Sequence, residues 1–447
     1  MTIWSVVLTV INSNNKIYPK KRKVLITVLG KIKMNNIQEK AEYCLNCKVK
    51  PCSKGCPLGN DIPSFIKLIK EEKYKEAYEK LLETTVLQPI CGRICPHEKQ
   101  CQGSCVRGIK GEPVSIGNLE QFVGDMAIKE NWKIQTPDVE LNKHVAIVGG
   151  GPAGITAAAF LRRKGYKVTI YEKYQELGGI LVHGIPEFRL PKEIVRETIR
   201  KILNTGIQVI YGAELGKNIT LEELKEQYDA ILLTFGANIS SKMNIEGEEL
   251  EGVYGGNELL ERNAHPDYYG KIVAVNGGGN TAMDVSRTIK KMGAKKVYVV
   301  YRRAREQMPA EQKEIDDAMK EGVEFLFQNN IVKIIGKDKV EKIECIKTEL
   351  IKQEGESRLK PVNIEGSNYE IPVDYVVMAV GSKPDENVLN SIKLEKNKWG
   401  YIQINEFSQT SDEKVFGAGD ISGEKATVAW AASSGRKAAE NISKIVK

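Results

Sequence analysis

The stretch HVAIVGGGPAGITAAAFLRRKGYKVTIYEK, beginning at His144, reads as strand, glycine turn, helix and strand. The same grammar returns from Lys271 as KIVAVNGGGNTAMDVSRTIKKMGAKKVYVVYRR. An apolar strand that delivers a glycine-rich turn into a helix opens a βαβ unit of a parallel sheet. Two such units in one chain predict two nucleotide-binding domains. Asp229–Ser240 (DAILLTFGANIS) and Asp374–Pro384 (DYVVMAVGSKP) resemble each other, each an aspartate, an apolar strand and a small-residue turn. They read as two crossings of one domain into and out of the other, so the second unit is expected as an insertion in the first. A chain of 447 residues has room for about three domains.

In the first unit, Gly149-x-Gly151-x-x-Gly154 follows the strand directly and an alanine-rich helix follows the glycines. The first glycine permits the tight turn, the second lets backbone approach a pyrophosphate, and the third lets helix and strand pack closely. Glu172 ends the next strand, 18 residues beyond Gly154, where an acid binds ribose hydroxyls. The C-terminal VFGAGDIS (Val415–Ser422), followed by ATVAWAASSGRKAA, resembles the closing segment of two-dinucleotide flavoproteins. That resemblance assigns FAD to the first loop. Gly419 and Asp420 would meet the ribityl chain, while Ala426, Thr427 and Val428 would point a positive helix end at the isoalloxazine. Gly178 and Gly179 (ELGGI) are expected to let backbone lie against the cofactor; the alternative for this pair is an ordinary loop turn.

In the second unit, Gly277-x-Gly279-x-x-Ala282 carries the accepted alanine variant, with Asn280 and Thr281 inside the turn. The following strand ends in Arg302 and Arg303, where an NAD-specific site would place Asp or Glu. Paired arginines suit the 2′-phosphate of NADPH by charge-assisted contact; the alternative is two surface arginines. Hydride transfer between stacked nicotinamide and flavin needs no acid or base from the protein, so no catalytic side chain is expected. A redox cysteine pair beside the flavin is missing from GGILVHGIPEF, and Cys345 stands alone downstream, so a disulfide reductase is not expected.

The remaining eight cysteines are crowded upstream. One set is Cys44-x2-Cys47-x4-Cys52-x3-Cys56-Pro57 and the other Cys91-x3-Cys95-x5-Cys101-x3-Cys105. Without a convincing secretion signal, clustered cysteines point to metal rather than disulfides. Soft thiolates suit zinc and iron–sulfur clusters alike. Zinc would leave the electrons of a reduced flavin without an exit, whereas iron–sulfur clusters give a one-electron path, and the rest of the chain therefore favours the latter. Around them, DIPSFIKLIKEEKYKEAYEKLLET places Phe65, Ile66, Leu68 and Ile69 at helical spacing behind an N-cap signal at Asp61.

The net charge of +8 is concentrated at the start. Lys16, Lys20, Lys21, Arg22, Lys23, Lys31 and Lys33 are unaccompanied by any acid, which leaves the body close to neutral. A nucleic-acid footprint is not expected. No run of about 18 apolar residues occurs, so no membrane span is expected. The first residues read as an upstream over-extension of a chain beginning at Met34, with a disordered tail or a targeting segment as alternatives.

Taken together, CGRICP, GGGPAGITAA, IPEFRLPKEI, GGGNTAMD, YRRAREQMPA and GAGD resemble the small subunit of bacterial NADPH-dependent glutamate synthase. They also resemble its relatives: the N-terminal part of dihydropyrimidine dehydrogenase, the large subunit of electron-bifurcating NADH-dependent ferredoxin–NADP reductase, and the NADPH-binding subunit of archaeal sulfide dehydrogenase. The resemblance runs in order over about 38–445. It implies an α/β flavoprotein with two dinucleotide-binding domains, a Rossmann-like FAD domain with an inserted NAD(P) domain, preceded by a mostly α-helical iron–sulfur domain. The expected boundaries are an extension at 1–37, the dicluster domain at 38–140, FAD binding at 141–240 and 373–447, and the inserted NADPH domain at 241–372. It further implies two [4Fe-4S] clusters, one on Cys44, Cys47, Cys52 and Cys105, the other on Cys56, Cys95, Cys101 and Glu120, with Gln121 as the alternative to Glu120 and Cys91 free of iron. The implied activity is electron relay from NADPH through FAD and the clusters to a partner. That partner is the glutamate synthase large subunit, or another flavoprotein or ferredoxin acceptor, in a cytoplasmic hetero-oligomer. The bifurcating reductase and sulfide dehydrogenase subunits are the rival functions, and a non-catalytic nucleotide-binding scaffold is a rival of another class.

Overall fold

The computed structural model describes residues 34–352 and 359–447; the reading of the N-terminal extension as over-extended, disordered or targeting lies outside the described residues. Apolar strands buried on both faces dictate the core. Val145–Val148 and Ala230–Leu233 are buried at every position, as strands of a parallel sheet covered by helices are. The first sheet is fully parallel, in the order Val415–Gly417, Ala230–Leu233, His144–Val148, Lys167–Glu172, Gln208–Tyr211. The second is parallel as well, in the order Val253–Gly255, Tyr375–Met378, Ile272–Asn276, Lys296–Tyr301, Glu324–Phe327. An antiparallel flap of Asn329–Ile335, Lys342–Ile351, Lys360–Asn363 and Tyr369–Pro372 stands beside it.

The sequence similarity between DAILLTF and DYVVMAV has a different meaning from the one expected. Ala230–Leu233 pairs with the first strand of its own unit, and Tyr375–Met378 does the same in the second sheet. The latter strand therefore belongs with the inserted segment, not with the returning one that was expected to start at 373. Each is the strand that covers the far side of a glycine-loop strand, and each needs the same aspartate: Asp229 accepts from the His144 N–H and Asp374 from the Ile272 N–H, both at 2.8 Å. The crossings lie just beyond, where Ile239–Ser240 and Ser382–Lys383 pair antiparallel.

Upstream, helices Met34–Glu42, Ile62–Lys70, Tyr74–Leu82, Gln88–Ile94 and Ile116–Lys129 surround the cysteines. The first of these overrides the boundary expected at 38, because Ile37 and Ala41, one turn apart, are buried against the neighbouring helices. Asp61 sits at the start of Ile62–Lys70 but does not cap it; its carboxylate binds Lys50 at 2.7 Å instead. Arg93 and Asp125 form a buried bidentate pair at 2.8 Å that joins the helices carrying Cys91 and Glu120. One continuous core runs from these helices into the first sheet and its two helices Pro152–Arg162 and Val428–Ile445. The alanine-rich character of Pro152–Arg162 is explained by its burial at every residue. Among the described residues no helix is long and apolar enough to cross a membrane.

Candidate functional site

The first thiol group forms around a surface pocket lined by Cys44, Cys47, Cys52 and Cys105, with Pro51, Ile62 and Val106 among the apolar walls. Local backbone places each donor. Lys50 adopts a left-handed conformation (φ 45°) that turns the chain into the short helix Pro51–Gly55 carrying Cys52, and Cys56 closes that helix. Cys105 arrives from another segment, joined to the first by Arg107, which donates to the Tyr43 carbonyl at 3.0 Å and stacks on its ring. Lys70 donates to the Cys44 carbonyl at 2.8 Å.

The second group lies deeper. Cys56, Cys95 and Cys101 all feel the charge of Glu120, which is only 4 % exposed on helix Ile116–Lys129. Burial pushes the Glu120 carboxyl up to about 8, opposed by a hydrogen bond from Asn60 Nδ2 at 3.3 Å. Gln121, the alternative, is half-buried. Cys91 is fully buried against Cys95. Burial first, then neighbouring negative charge, pushes Cys56 up to about 12 and, against a backbone hydrogen bond, Cys52 to about 11. A ligand that binds here must therefore carry enough positive charge to displace thiol protons, as iron does. Among the described residues no group of three or more His, Cys, Asp or Glu is disposed to hold a single ion; Cys44, Cys47, Cys52 and Cys105 share one pocket. Asn60, four residues after Cys56, also accepts from Thr84 Oγ1 at 2.6 Å; it was not foreseen, because a lone asparagine in a turn does not announce that its side chain reaches a carboxylate sixty residues on.

In the first glycine loop, Gly149 donates to the Tyr171 carbonyl at 2.8 Å, and Thr234 Oγ1 donates to the Gly149 carbonyl at 2.7 Å. A Cβ on Gly154 would run into that same Gly149 carbonyl, which is the close helix–strand approach the motif requires. Glu172 is occupied more fully than expected: it accepts from Gly150 N at 2.8 Å and from Tyr174 N at 3.0 Å. Its ordering of the loop is visible, and a carboxylate retains lone pairs for further donors. Gly179 (φ 52°) lies across from Gly151, whose Cα stands 3.0 Å from where its Cβ would be, so the slot between them is walled by backbone alone. Gly178 precedes it, also at positive φ.

The closing segment delivers Asp420 in the turn Gly419–Ser422. Its Oδ1 is buried without a partner, and burial pushes its carboxyl up to about 6. An orphaned buried acceptor next to a glycine loop fits a hydroxyl-bearing ligand such as the ribityl chain of FAD. Thr427 caps helix Val428–Ile445 by accepting from Trp430 N at 3.3 Å, with Ala426 just before it, so the positive helix end faces the same region. His183 was missed: it stacks on Tyr174 at 4.3 Å and its Nε2 is buried and unpartnered.

In the second loop, Gly277 donates to the Val300 carbonyl at 3.0 Å, and helix Asn280–Lys291 starts at once, with Thr281 half-buried and Ala282 buried. A Cβ on Gly279 would meet nothing within 4 Å, which leaves that face open. Arg302 is exposed at the end of Lys296–Tyr301, while Arg303 is half-buried and donates to the Leu359 carbonyl at 3.3 Å. Arg302 is therefore the arginine free to follow a 2′-phosphate. Arg302→Ala is expected to raise the KM for NADPH by about 10- to 100-fold, the loss of one charged hydrogen bond, with little effect on the KM for NADH. Steady-state kinetics with both nucleotides check this, and equal effects would refute it.

A contact set that the motifs do not reveal by themselves ties these parts together. Arg189, in IPEFRLPKEI beside the first unit, pairs with Asp284 of the second-loop helix at 2.7 Å, with Glu311 at 3.2 Å and with Glu314 at 3.3 Å. From the cysteine side, Lys99 donates to the Pro309 and Ala310 carbonyls at 2.8 and 2.7 Å, and Glu98 accepts from Gln312 N at 2.8 Å. The same short segment touches the glycine loop itself, Ala310 N to the Gly278 carbonyl and Glu311 N to Asn280 Oδ1, both at 3.1 Å.

Comparison with known proteins follows this geometry. Residues 143–435 match the pyridine nucleotide-disulphide oxidoreductase family, and residues 21–132 match dihydropyrimidine dehydrogenase domain II, 4Fe-4S cluster. The chain is 34 % identical over 443 residues to the glutamate synthase [NADPH] small chain of Azospirillum brasilense, covering 95 % of this chain and 92 % of that one. It is 35 % identical over 423 residues to the Escherichia coli small chain of the same name, covering 90 % of each. Among solved structures, FprA of Mycobacterium tuberculosis in complex with NADPH superposes with a TM-score of 0.60 at 21 % identity, over 68 % of this chain and 84 % of that one. That likeness concerns the fold.

Proposed function

We propose, since this chain belongs to the glutamate synthase small-chain family of NADPH-dependent FAD oxidoreductases with an iron–sulfur domain, that it passes reducing equivalents from NADPH to a partner polypeptide, the large subunit of a glutamate synthase. When bound, the cofactors supply hydride transfer between nicotinamide and flavin and a one-electron path through two [4Fe-4S] clusters. The chain's residues do the rest. Arg302 holds the nucleotide's extra phosphate by charge. Glu172 and Thr234 fix the backbone of the first loop, Asp420 accepts from a ligand hydroxyl, and the capped N-terminus at Thr427 favours negative charge beside it. Cys44, Cys47, Cys52 and Cys105 hold one cluster; Cys56, Cys95, Cys101 and Glu120 hold the other.

The observation that carries this reading is the shared core: the helices bearing the cysteines are not a separate appendage but pack into the first sheet's helices as one body. Arg436 and Lys201 also reach across to the Thr84 and Ala127 carbonyls, at 3.1 and 2.9 Å. Iron and acid-labile sulfide of anaerobically reconstituted protein should approach about eight each per chain, with a flavin spectrum bleached by NADPH. Far less iron in correctly folded, flavin-loaded protein would overturn the relay. Anaerobic co-purification with a large amidotransferase subunit, and glutamate formation by the pair but not by this chain alone, tests the partner.

A further inference from the structure

One buried amide sits between the deeper thiol group and the rest of the fold. Asn60 is 1 % exposed and lies in the turn that joins Cys56 to helix Ile62–Lys70. Gly59 N donates to the Cys56 carbonyl at 2.9 Å and Ile62 N to the Asn60 carbonyl at 2.8 Å, which closes the turn on both sides. Gly59 takes φ 68° where nothing lies within 4 Å of an added Cβ, so backbone conformation and not crowding calls for glycine. The turn carries the Asn60 side chain inward. There Nδ2 donates to Glu120 Oε1 at 3.3 Å and Oδ1 accepts from Thr84 Oγ1 at 2.6 Å.

These contacts fix which way the amide faces. An ionised carboxylate only accepts, so the nitrogen must meet Glu120 and the oxygen must meet a donor. Thr84 is that donor, and it is held in turn. Its N–H reaches the Leu81 carbonyl at 3.1 Å, and its own carbonyl accepts from Arg436 Nη1 at 3.1 Å. Arg436 belongs to Val428–Ile445, one of the first sheet's two helices. The donor to Glu120 is thus backed by a rigid element. Asn60 serves Cys56 as well: burial, then the Glu120 charge, pushes that thiol up, and the backbone N–H groups of Asn60 and Leu58 work against the rise. One residue therefore acts on two donors of the deeper group. An apolar pair would fill the same space without the desolvation that a buried carboxylate and amide incur, so packing alone does not account for them.

We propose that Asn60 is a positioning residue for the Glu120 carboxylate: its amide holds one carboxylate oxygen and leaves the other to iron. The inference rests on the reading of Glu120 as a cluster ligand and adds what orients that ligand. A carboxylate turns easily about its last torsion, and a partner that fixes a metal ligand is worth about 10- to 100-fold in metal affinity. A donated hydrogen bond also draws charge from the carboxylate. That favours the reduced, more negative state of the cluster and raises its potential. Asn60 thereby makes the deeper cluster a better electron acceptor than an unsupported carboxylate ligand would.

The test uses the full chain, loaded anaerobically with FAD, iron and sulfide. Glu120→Ala identifies the low-temperature resonance signal of the deeper cluster as the one it removes. Asn60→Leu keeps the volume and removes the donor; Thr84→Val keeps the shape and removes the hydroxyl that orients the amide. Asn60→Leu should shift the midpoint potential of that cluster downward. It should also let the chelator bipyridyl strip that cluster's iron at about tenfold lower concentration. The other cluster's signal and potential, and the bound flavin, should stay as in the wild type. Thr84→Val should act on the same cluster to a smaller extent, and it decides by the same criteria if Asn60→Leu fails to fold. Both clusters changing alike, or a lower melting temperature without a selective change in one signal, would show a structural role and overturn the proposal. Potential and iron retention unmoved in the variants, while Glu120→Ala loses one cluster, would overturn the positioning role and leave the ligand reading standing. Glu120→Ala keeping both signals would overturn the ligand reading and this proposal with it.

Discussion

Arg189→Ala is expected to destabilise the folded chain by about 3–5 kcal/mol, the cost of breaking a buried ion pair from one side. Arg189 is 7 % and Asp284 6 % exposed, and Glu311 and Glu314 converge on the same guanidinium. Without it, three carboxylates face one another with little water. Arg287 still reaches Glu314 but lies on the Asp284 helix and leaves the link to the first unit broken. Lysine is a poor replacement, because one ammonium cannot reproduce the forked geometry.

The deficit should depend on pH. Burial, opposed by Arg189, leaves Asp284 raised to about 6 and Glu311 to about 7. A carboxyl whose folded pKa is raised favours the folded state fully below its unfolded pKa and loses that contribution as pH rises through the folded value. Removing the guanidinium raises both further, so the variant loses more than the wild type between about pH 6 and 8. The melting-temperature gap should therefore be widest near pH 8 and narrow toward pH 5. A gap independent of pH would show that lost packing, not charge, accounts for the effect.

The second large effect is on iron. Glu120→Ala is expected to remove about half the iron, roughly four of eight atoms per chain, while Cys91→Ser retains nearly all of it. Glu120 is the buried carboxylate that Cys56, Cys95 and Cys101 sense. Cys91 is fully buried and meets Cys95 through a thiol contact. Metal analysis and the low-temperature resonance spectrum of the reduced protein would report the loss of one cluster signal. If Cys91→Ser loses half the iron and Glu120→Ala none, the interleaved ligand scheme is wrong.

How much of this was legible differs from residue to residue. Gly149, Gly154 and Gly277 were readable because a glycine loop between strand and helix is a local constraint. Asp420 and Thr427 were readable because each ends a strand or starts a helix in a short recognisable segment. Tyr375–Met378 was placed on the wrong side of a domain crossing, because two strands with the same sequence pattern occupy equivalent positions in two sheets and pattern alone does not say which sheet. Ile37 was set outside the folded part, because one apolar residue at the end of a polar stretch gives no periodicity until its helix has a surface to meet. Asn60 and Lys99 carried no signal, and Arg189 stood in a recognised motif, IPEFRLPKEI, without its role being readable, since the partners of all three are distant in sequence and a lone polar residue reads as solvated.

By itself the sequence determined the number and kind of local units: two strand–glycine–helix openings, a closing Gly-Asp turn and two runs of cysteines, each defined by neighbours within a few residues. The grouping of Cys44, Cys47, Cys52 and Cys105 came from the family resemblance and not from spacing; tertiary structure alone decided which thiol group lines a surface pocket, and that one segment, Met308 to Glu314, is gripped from both the cysteine helices and the first unit. Such pairings depend on how buried charge and apolar surface are shared among elements hundreds of residues apart, and no local pattern encodes that division.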